Sequence, residues 1–332
     1  MRSKIREALS EFQGAPVGTL RYFIGPFREG MRLRGSTDEA VLSVVERLLY
    51  FIRFCEARSV TRVAEVTRPL VERYQRQLFH QETQKGKPLA LRTQVGYLHA
   101  VMTFFRWLCK KRHLLHNPAS DLDLPKVPRA LPKAILSAKE AEVVLMQPDV
   151  GTPLGLRDRA MLELFYSTGM RRMEVARVKV GYVDLIERHV FVQEGKGRKD
   201  RLVPLGERAA EWLHKYLHEV RPLLATFKDE GEVFLTGRGE PFSLQSLGHV
   251  VKRYVEASGV GKSGACHMFR HSMATLLLEN GADIRFVQAM LGHSDIAATQ
   301  IYTHVAIRKL KEVHERTHPG RMKKKDEKPS SP

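Results

Sequence analysis

The chain has 332 residues, with 55 Lys and Arg against 37 Asp and Glu for a formal charge of +18, and with 43% apolar and 8% aromatic side chains. That composition excludes disorder throughout, and the length suits two domains, each able to bury a core. No apolar run approaches a membrane span of roughly 18 residues, and Met1-Arg2-Ser3-Lys4-Ile5-Arg6 leads into no signal-peptide core, so a soluble cytosolic protein without a membrane partner is expected. Cys55, Cys109 and Cys266 are widely spaced without a Cys-x-x-Cys, which argues against a disulfide framework and against a thiolate metal site. A pI near 9.9 favours a polyanionic partner, nucleic acid ahead of an anionic membrane.

Residues 1 to 35 are Gly-rich and weakly periodic and read as an N-terminal extension. Ser36 and Glu39 make a capping-box pattern, and Val41, Val44, Val45, Leu48, Phe51, Ile52 and Cys55 then recur at helical spacing. A second helix is expected from Pro69 to about Phe79, with proline in its first turn. A third places Leu91, Val95, Leu98, Val101, Met102, Phe105 and Leu108 on one face, ahead of Lys110, Lys111 and Arg112. These define a helical domain over 36–116.

Four prolines, Pro118, Pro125, Pro128 and Pro132, mark 117–135 as a linker. A second domain, 136–315, opens on another capping box, Ser137 with Glu140. His189-Val190-Phe191-Val192 and Leu202-Val203-Pro204-Leu205 read as strands joined by the glycine-containing turn Glu194 to Lys199. Helices resume near Glu207 and after His267. Residues 316–332 read as a disordered basic tail of net charge +4, leaving +14 for the remainder of the chain.

Four segments carry groups suited to one chemistry. Gly169 can end a helix, which puts Arg171 at the start of the next, beside Glu174. Lys196 lies between two glycines on the hairpin tip. His267 and Arg270 share a helix face at i and i+3. His293 precedes Tyr302 by nine residues across a short helix capped by Ser294. On a phosphodiester, two arginines can offer paired N–H donors to the non-bridging oxygens, a histidine can donate a hydrogen bond or move a proton, and a lysine can protonate a departing sugar oxygen. Attack by Tyr302 would leave a phosphotyrosine ester that conserves the bond for rejoining, with neither ATP nor metal required. Taken singly, each residue has a plainer reading: Arg171 as a salt bridge to Glu174, Lys196 as a solvated turn residue, His267 with His271 as a helix pair, Tyr302 as a half-buried aromatic. A metal site on His267, His271 and His293 lacks the Glu of His-Glu-x-x-His.

In this order the segments resemble the tyrosine recombinase, or phage integrase, family, and most closely its bacterial Xer branch. The resemblance covers Asp38 to His318, including Phe104-Phe105-Arg106-Trp107-Leu108 and Gly292-His293-Ser294-Asp295 through Thr299-Gln300-Ile301-Tyr302-Thr303-His304-Val305. It implies a mainly α fold with a small antiparallel β-sheet: a helical, SAM-like core-binding domain and a mixed α+β catalytic domain, clamped about double-stranded DNA. It places the catalytic roles on Arg171, Lys196, His267, Arg270 and His293, with Tyr302 as nucleophile, and calls for no cofactor. It further implies a homotetramer, or a heterotetramer with a related recombinase, on two DNA sites, exchanging strands through a Holliday junction in the nucleoid. The segment Ile307 to His314 resembles the family's helix that docks on a neighbouring protomer. Mobile-element integration and chromosome dimer resolution would use the same residues. A DNA-binding protein that does not cleave fits the charge equally well but has no need of the six-residue set. A topoisomerase-like nicking and closing enzyme would share the intermediate, and a metal-dependent nuclease would lose its activity in EDTA.

Overall fold

The computed structural model describes residues 14–84, 86–128, 134–193, 200–227 and 229–292, and the chain divides into two compact units, Met1–Arg129 and Ala130–Pro332. The first unit is helical among its described residues: α1 (Ile24–Leu33), α2 (Asp38–Glu56), α3 (Arg68–His80) and α4 (Leu91–Lys110). The apolar stripe of α2 is buried through Val41, Val45, Leu48, Phe51, Ile52 and Cys55, and packs with Leu98, Val101, Phe104, Phe105 and Leu108 of α4. Leu91 is exposed instead, and Gln94 takes a core position by donating its Nε2–H to Leu89 O at 2.7 Å. The cap of α2 is Thr37, whose hydroxyl accepts from Ala40 N at 3.3 Å, and not Ser36. Asp38 and Glu39 occupy the first turn, where their charges offset the positive end of the helix dipole. Helix α3 starts at Arg68, with Pro69 in its first turn.

The segment read as an extension differs from that reading. Leu20, Phe23, Ile24, Phe27 and Met31 are buried in the helical unit's core, and Phe27 meets the Phe104 and Trp107 rings at centroid distances of 5.3 and 5.5 Å. The helical spacing of these residues is diluted by glycines, which are otherwise poor helix formers. Gly30 has a packing reason, since a Cβ there would lie 2.8 Å from Trp107 Nε1. Across the proline-rich stretch, Ala119 is buried and Leu122 and Leu124 pack on the same core.

The second unit opens on α5 (Ala138–Leu145), with the capping box of Ser137 and Glu140 in place, followed by α6 (Pro153–Thr168) and the short α7 (Arg172–Arg177). Three antiparallel strands follow in the order β1 (Val183–Asp184), β2 (His189–Val192) and β3 (Arg201–Pro204), with Val190 opposite Val203 in the core. Strand β1, only two residues long, has no pattern of its own in the sequence. Next come α8 (Glu207–Lys215), a π-helical turn at Tyr216–Val220, α9 (Arg221–Leu224), α10 (Leu244–Ala257), α11 (Cys266–Glu279) and α12 (Ile284–Leu291). Helix α6 runs through the middle of this unit and is buried on every side, so it shows no apolar stripe. Its buried charges are paired locally, Arg157 with Asp158 at 2.7 Å and Arg159 with Glu163 at 2.8 Å, as burial of an ion requires. No helix among the described residues is long and apolar enough to cross a membrane.

Candidate active site

The site is built where α6 ends. Gly169 caps α6 in the left-handed region (φ 58°), and a Cβ there would lie 2.0 Å from Met273 Cε. Glycine thus meets two demands at once, a backbone conformation that L residues rarely adopt and a close approach by α11. The turn delivers Arg171 to the N-cap position of α7. Glu174 reaches back to the Arg171 backbone N–H (2.7 Å) and also accepts from Arg171 Nη1 (2.9 Å), so one carboxylate fixes both main chain and guanidinium.

Helix α11 supplies the other groups. Arg270 is 4% exposed and donates from Nη1 to Gly169 O and from Nη2 to Leu291 O, each at 2.7 Å. His267 sits one turn earlier, on the exposed side of the first turn. Partial burial, then the positive charges of Arg270, Arg172 and Arg171, hold its pKa below the ordinary imidazole value, so the ring is neutral at pH 7. His271 is pushed down to about 4 by burial, with His267 and Arg270 adding to the shift.

Arg201 at the start of β3 is the residue that the sequence reading passed over. It grips Glu174 with both ends of its fork (Nη1 to Oε1 3.0 Å, Nη2 to Oε2 2.7 Å) and donates from Nε to Met290 O at 2.9 Å. Burial by itself would raise the pKa of Glu174. The hydrogen bonds and charge of Arg201, with the Arg171 backbone and side-chain bonds, outweigh burial and leave that pKa below the ordinary carboxylate value. The only trace of Arg201 in the sequence is an arginine at the first position of the strand that follows the lysine-bearing segment.

At the C-terminal end of α12, three successive carbonyls each accept from a different arginine: Met290 O from Arg201, Leu291 O from Arg270, and Gly292 O from Arg171 at 3.0 Å. These are groups that the helix itself leaves unpaired, at the negative end of its dipole. Gly292 ends the helix in the left-handed region (φ 61°), and a Cβ on it would lie 3.0–3.1 Å from the Arg201 guanidinium. The structure therefore brings Arg171 and Arg270 together at the last turn of α12, directly before His293, with His267 near enough to both guanidiniums to feel their charge. Lys196, His293 and Tyr302 lie outside the described residues, as do Ser294, the segment Ile307 to His314 and the basic tail.

Residues 135–309 match the phage integrase family. The chain is 48% identical over 306 residues to tyrosine recombinase XerC 2 of Ralstonia nicotianae, covering 92% of this chain and 88% of that protein. It is 41% identical over 228 residues to tyrosine recombinase XerD of Pseudomonas aeruginosa, covering 69% and 76%. Among solved structures it resembles XerA recombinase at 27% identity and a TM-score of 0.51, over 90% of this chain and 99% of that one. It shares a fold with XerH site-specific recombinase bound to difH substrate, at 23% identity and a TM-score of 0.67, over 94% and 88%. The chain belongs to the phage integrase family, in its Xer tyrosine recombinase branch, and is a DNA strand-exchange enzyme of site-specific recombination.

Proposed function

We propose that this enzyme cleaves duplex DNA at a specific site by transferring one strand to Tyr302. The Tyr302 hydroxyl attacks the scissile phosphorus and forms a 3′-phosphotyrosine bond, while the bond from phosphorus to the 5′ oxygen of the next nucleotide breaks. The tyrosine proton passes to His267, whose depressed pKa leaves it neutral and able to accept. Lys196 protonates the leaving 5′ oxygen. Arg171 and Arg270 hold the non-bridging oxygens through the charge build-up, and His293 donates a further hydrogen bond. The reverse reaction, with a 5′ hydroxyl from the second site as nucleophile, rejoins the strands in exchanged order and regenerates Tyr302.

The single observation that carries this reading is the convergence of Arg171 and Arg270 on the end of α12, which sets two guanidiniums beside the backbone leading to His293, with the His267 imidazole near enough to feel both charges. We assign duplex DNA as substrate and a tetramer on two sites as the working assembly, as a homotetramer or with a related recombinase. The named segments serve mobile-element exchange and chromosome dimer resolution equally. The experiment incubates the protein with a duplex nicked beside its site and looks for a covalent adduct on a denaturing gel. The adduct should be present in the wild type and absent in Tyr302→Phe; an adduct that persists in the variant removes Tyr302 from the nucleophile role.

A further inference from the structure

We infer that Arg201 is a positioning residue for strand cleavage, offsetting the charge of Glu174 so that the Arg171–Glu174 pair presents a net positive charge to the phosphodiester. The inference rests on the reading of Arg171 as a phosphate-binding group. Glu174 has two oxygens and takes four donors: the Arg171 backbone, Arg171 Nη1 and both ends of the Arg201 fork. With Arg171 alone the pair would be neutral, and a phosphate arriving there would meet a carboxylate as near as a guanidinium. With Arg201 the cluster carries one net positive charge. A bidentate pair is the strongest geometry open to an arginine and a carboxylate, and Arg201 occupies it. The Arg171 guanidinium is therefore left with a single bond to Glu174, its other terminal nitrogen going to Gly292 O.

Arg201 has a second attachment. It opens β3, the strand that follows Lys196 in the chain, and its Nε is fixed to Met290 O. One largely buried side chain, 11% exposed, thus joins β3, the carboxylate that orients Arg171 and the end of the helix ahead of His293. A buried Arg–Glu pair kept only for the fold would show none of the charge dependence that follows from this arrangement.

The test measures single-turnover adduct formation on the nicked duplex, at saturating protein, for wild type, Arg201→Gln, Arg201→Lys, Glu174→Gln/Arg201→Gln and Arg171→Ala, alongside single-site duplex binding. Arg201→Gln should slow cleavage by about tenfold or more while changing binding by no more than about twofold. Arg201→Lys, which keeps the charge without the fork, should fall between Arg201→Gln and wild type. Removing the carboxylate as well, in Glu174→Gln/Arg201→Gln, should recover part of the rate. Wild-type cleavage by Arg201→Gln, or a double variant slower than Arg201→Gln, overturns the inference. If circular dichroism shows that Arg201→Gln does not fold, the double variant carries the test, because it removes one charge of each sign, keeps the net charge of the cluster and leaves Arg171 its bond to Gly292 O. It should then cleave within about tenfold of wild type, and a loss as large as that of Arg171→Ala overturns the inference. Wild-type cleavage by Arg171→Ala would instead remove the underlying reading of the site, and so separates the two failures.

Discussion

Gly169 shows how a residue with no functional group can decide where functional groups stand. Gly169→Ala would force an L residue into the left-handed region and press its Cβ against Met273, 2.0 Å from Cε. The left-handed conformation alone costs about 1–2 kcal/mol, and the contact adds to it, so denaturant unfolding should show a loss of about 2 kcal/mol or more. Adduct formation should fall as well, because Gly169 O is one of the two anchors of Arg270. His271 gives a pH signature at the same scale. Its folded pKa of about 4 lies below the ordinary 6.5, so the unfolded chain binds the proton more readily. The stability it contributes is complete above pH 6.5 and is lost as the pH falls towards 4. Glu174, also depressed, extends the same trend on the acid side. Chemical denaturation should therefore give a lower stability at pH 5 than at pH 8, and His271→Gln should flatten that difference.

Among the elements, α2 and α4 were legible because each buries one face, so apolar residues recur with the helical period. Gly169, Arg171 and Glu174 were legible together, since a glycine stop followed by a helix start fixes three positions within six residues. Helix α6 was not, because a helix buried all round has no polar face to set a period, and its own buried ion pairs further mask it. Arg201 escaped because its partners lie 27 and 89 positions away in the sequence, on α7 and α12, and no local pattern announces such a contact. The capping box of α5 is a local device and was read directly. Ser137 accepts from Glu140 N, and Glu140 accepts from both Ser137 N and Lys262 Nζ. Ser137→Ala should cost about 1 kcal/mol of stability in denaturant unfolding. An unchanged midpoint would mean that the Lys262 bond alone holds this turn.

For the whole molecule, the net charge of +18 divides unevenly. The unit Met1–Arg129 has 23 Lys and Arg against 12 Asp and Glu, a net +11, whereas Ala130–Pro332 has a net +7, of which the tail supplies +4. In the second unit many cations are committed to internal carboxylates, as with Arg157, Arg159, Arg201, Arg208 and Arg221. Phosphate neutralisation releases counterions and makes binding fall as salt rises. A fragment of residues 1–129, which has its own core, should therefore keep most of the salt slope of duplex binding seen with the full chain. A fragment slope below about half that of the full chain would place the electrostatic grip in the catalytic unit or the tail.

The three arginines at the end of α12 also have a mechanical consequence. Successive residues of a helix are turned about 100° around its axis, so the tethers on Met290 and Leu291 pull on the helix end from separate directions, and a third holds the Gly292 cap just beyond it. Two tethers would leave the helix end a line about which to rock. Three oppose tilt whichever way it is pushed, and the path onward to His293 starts from a fixed support.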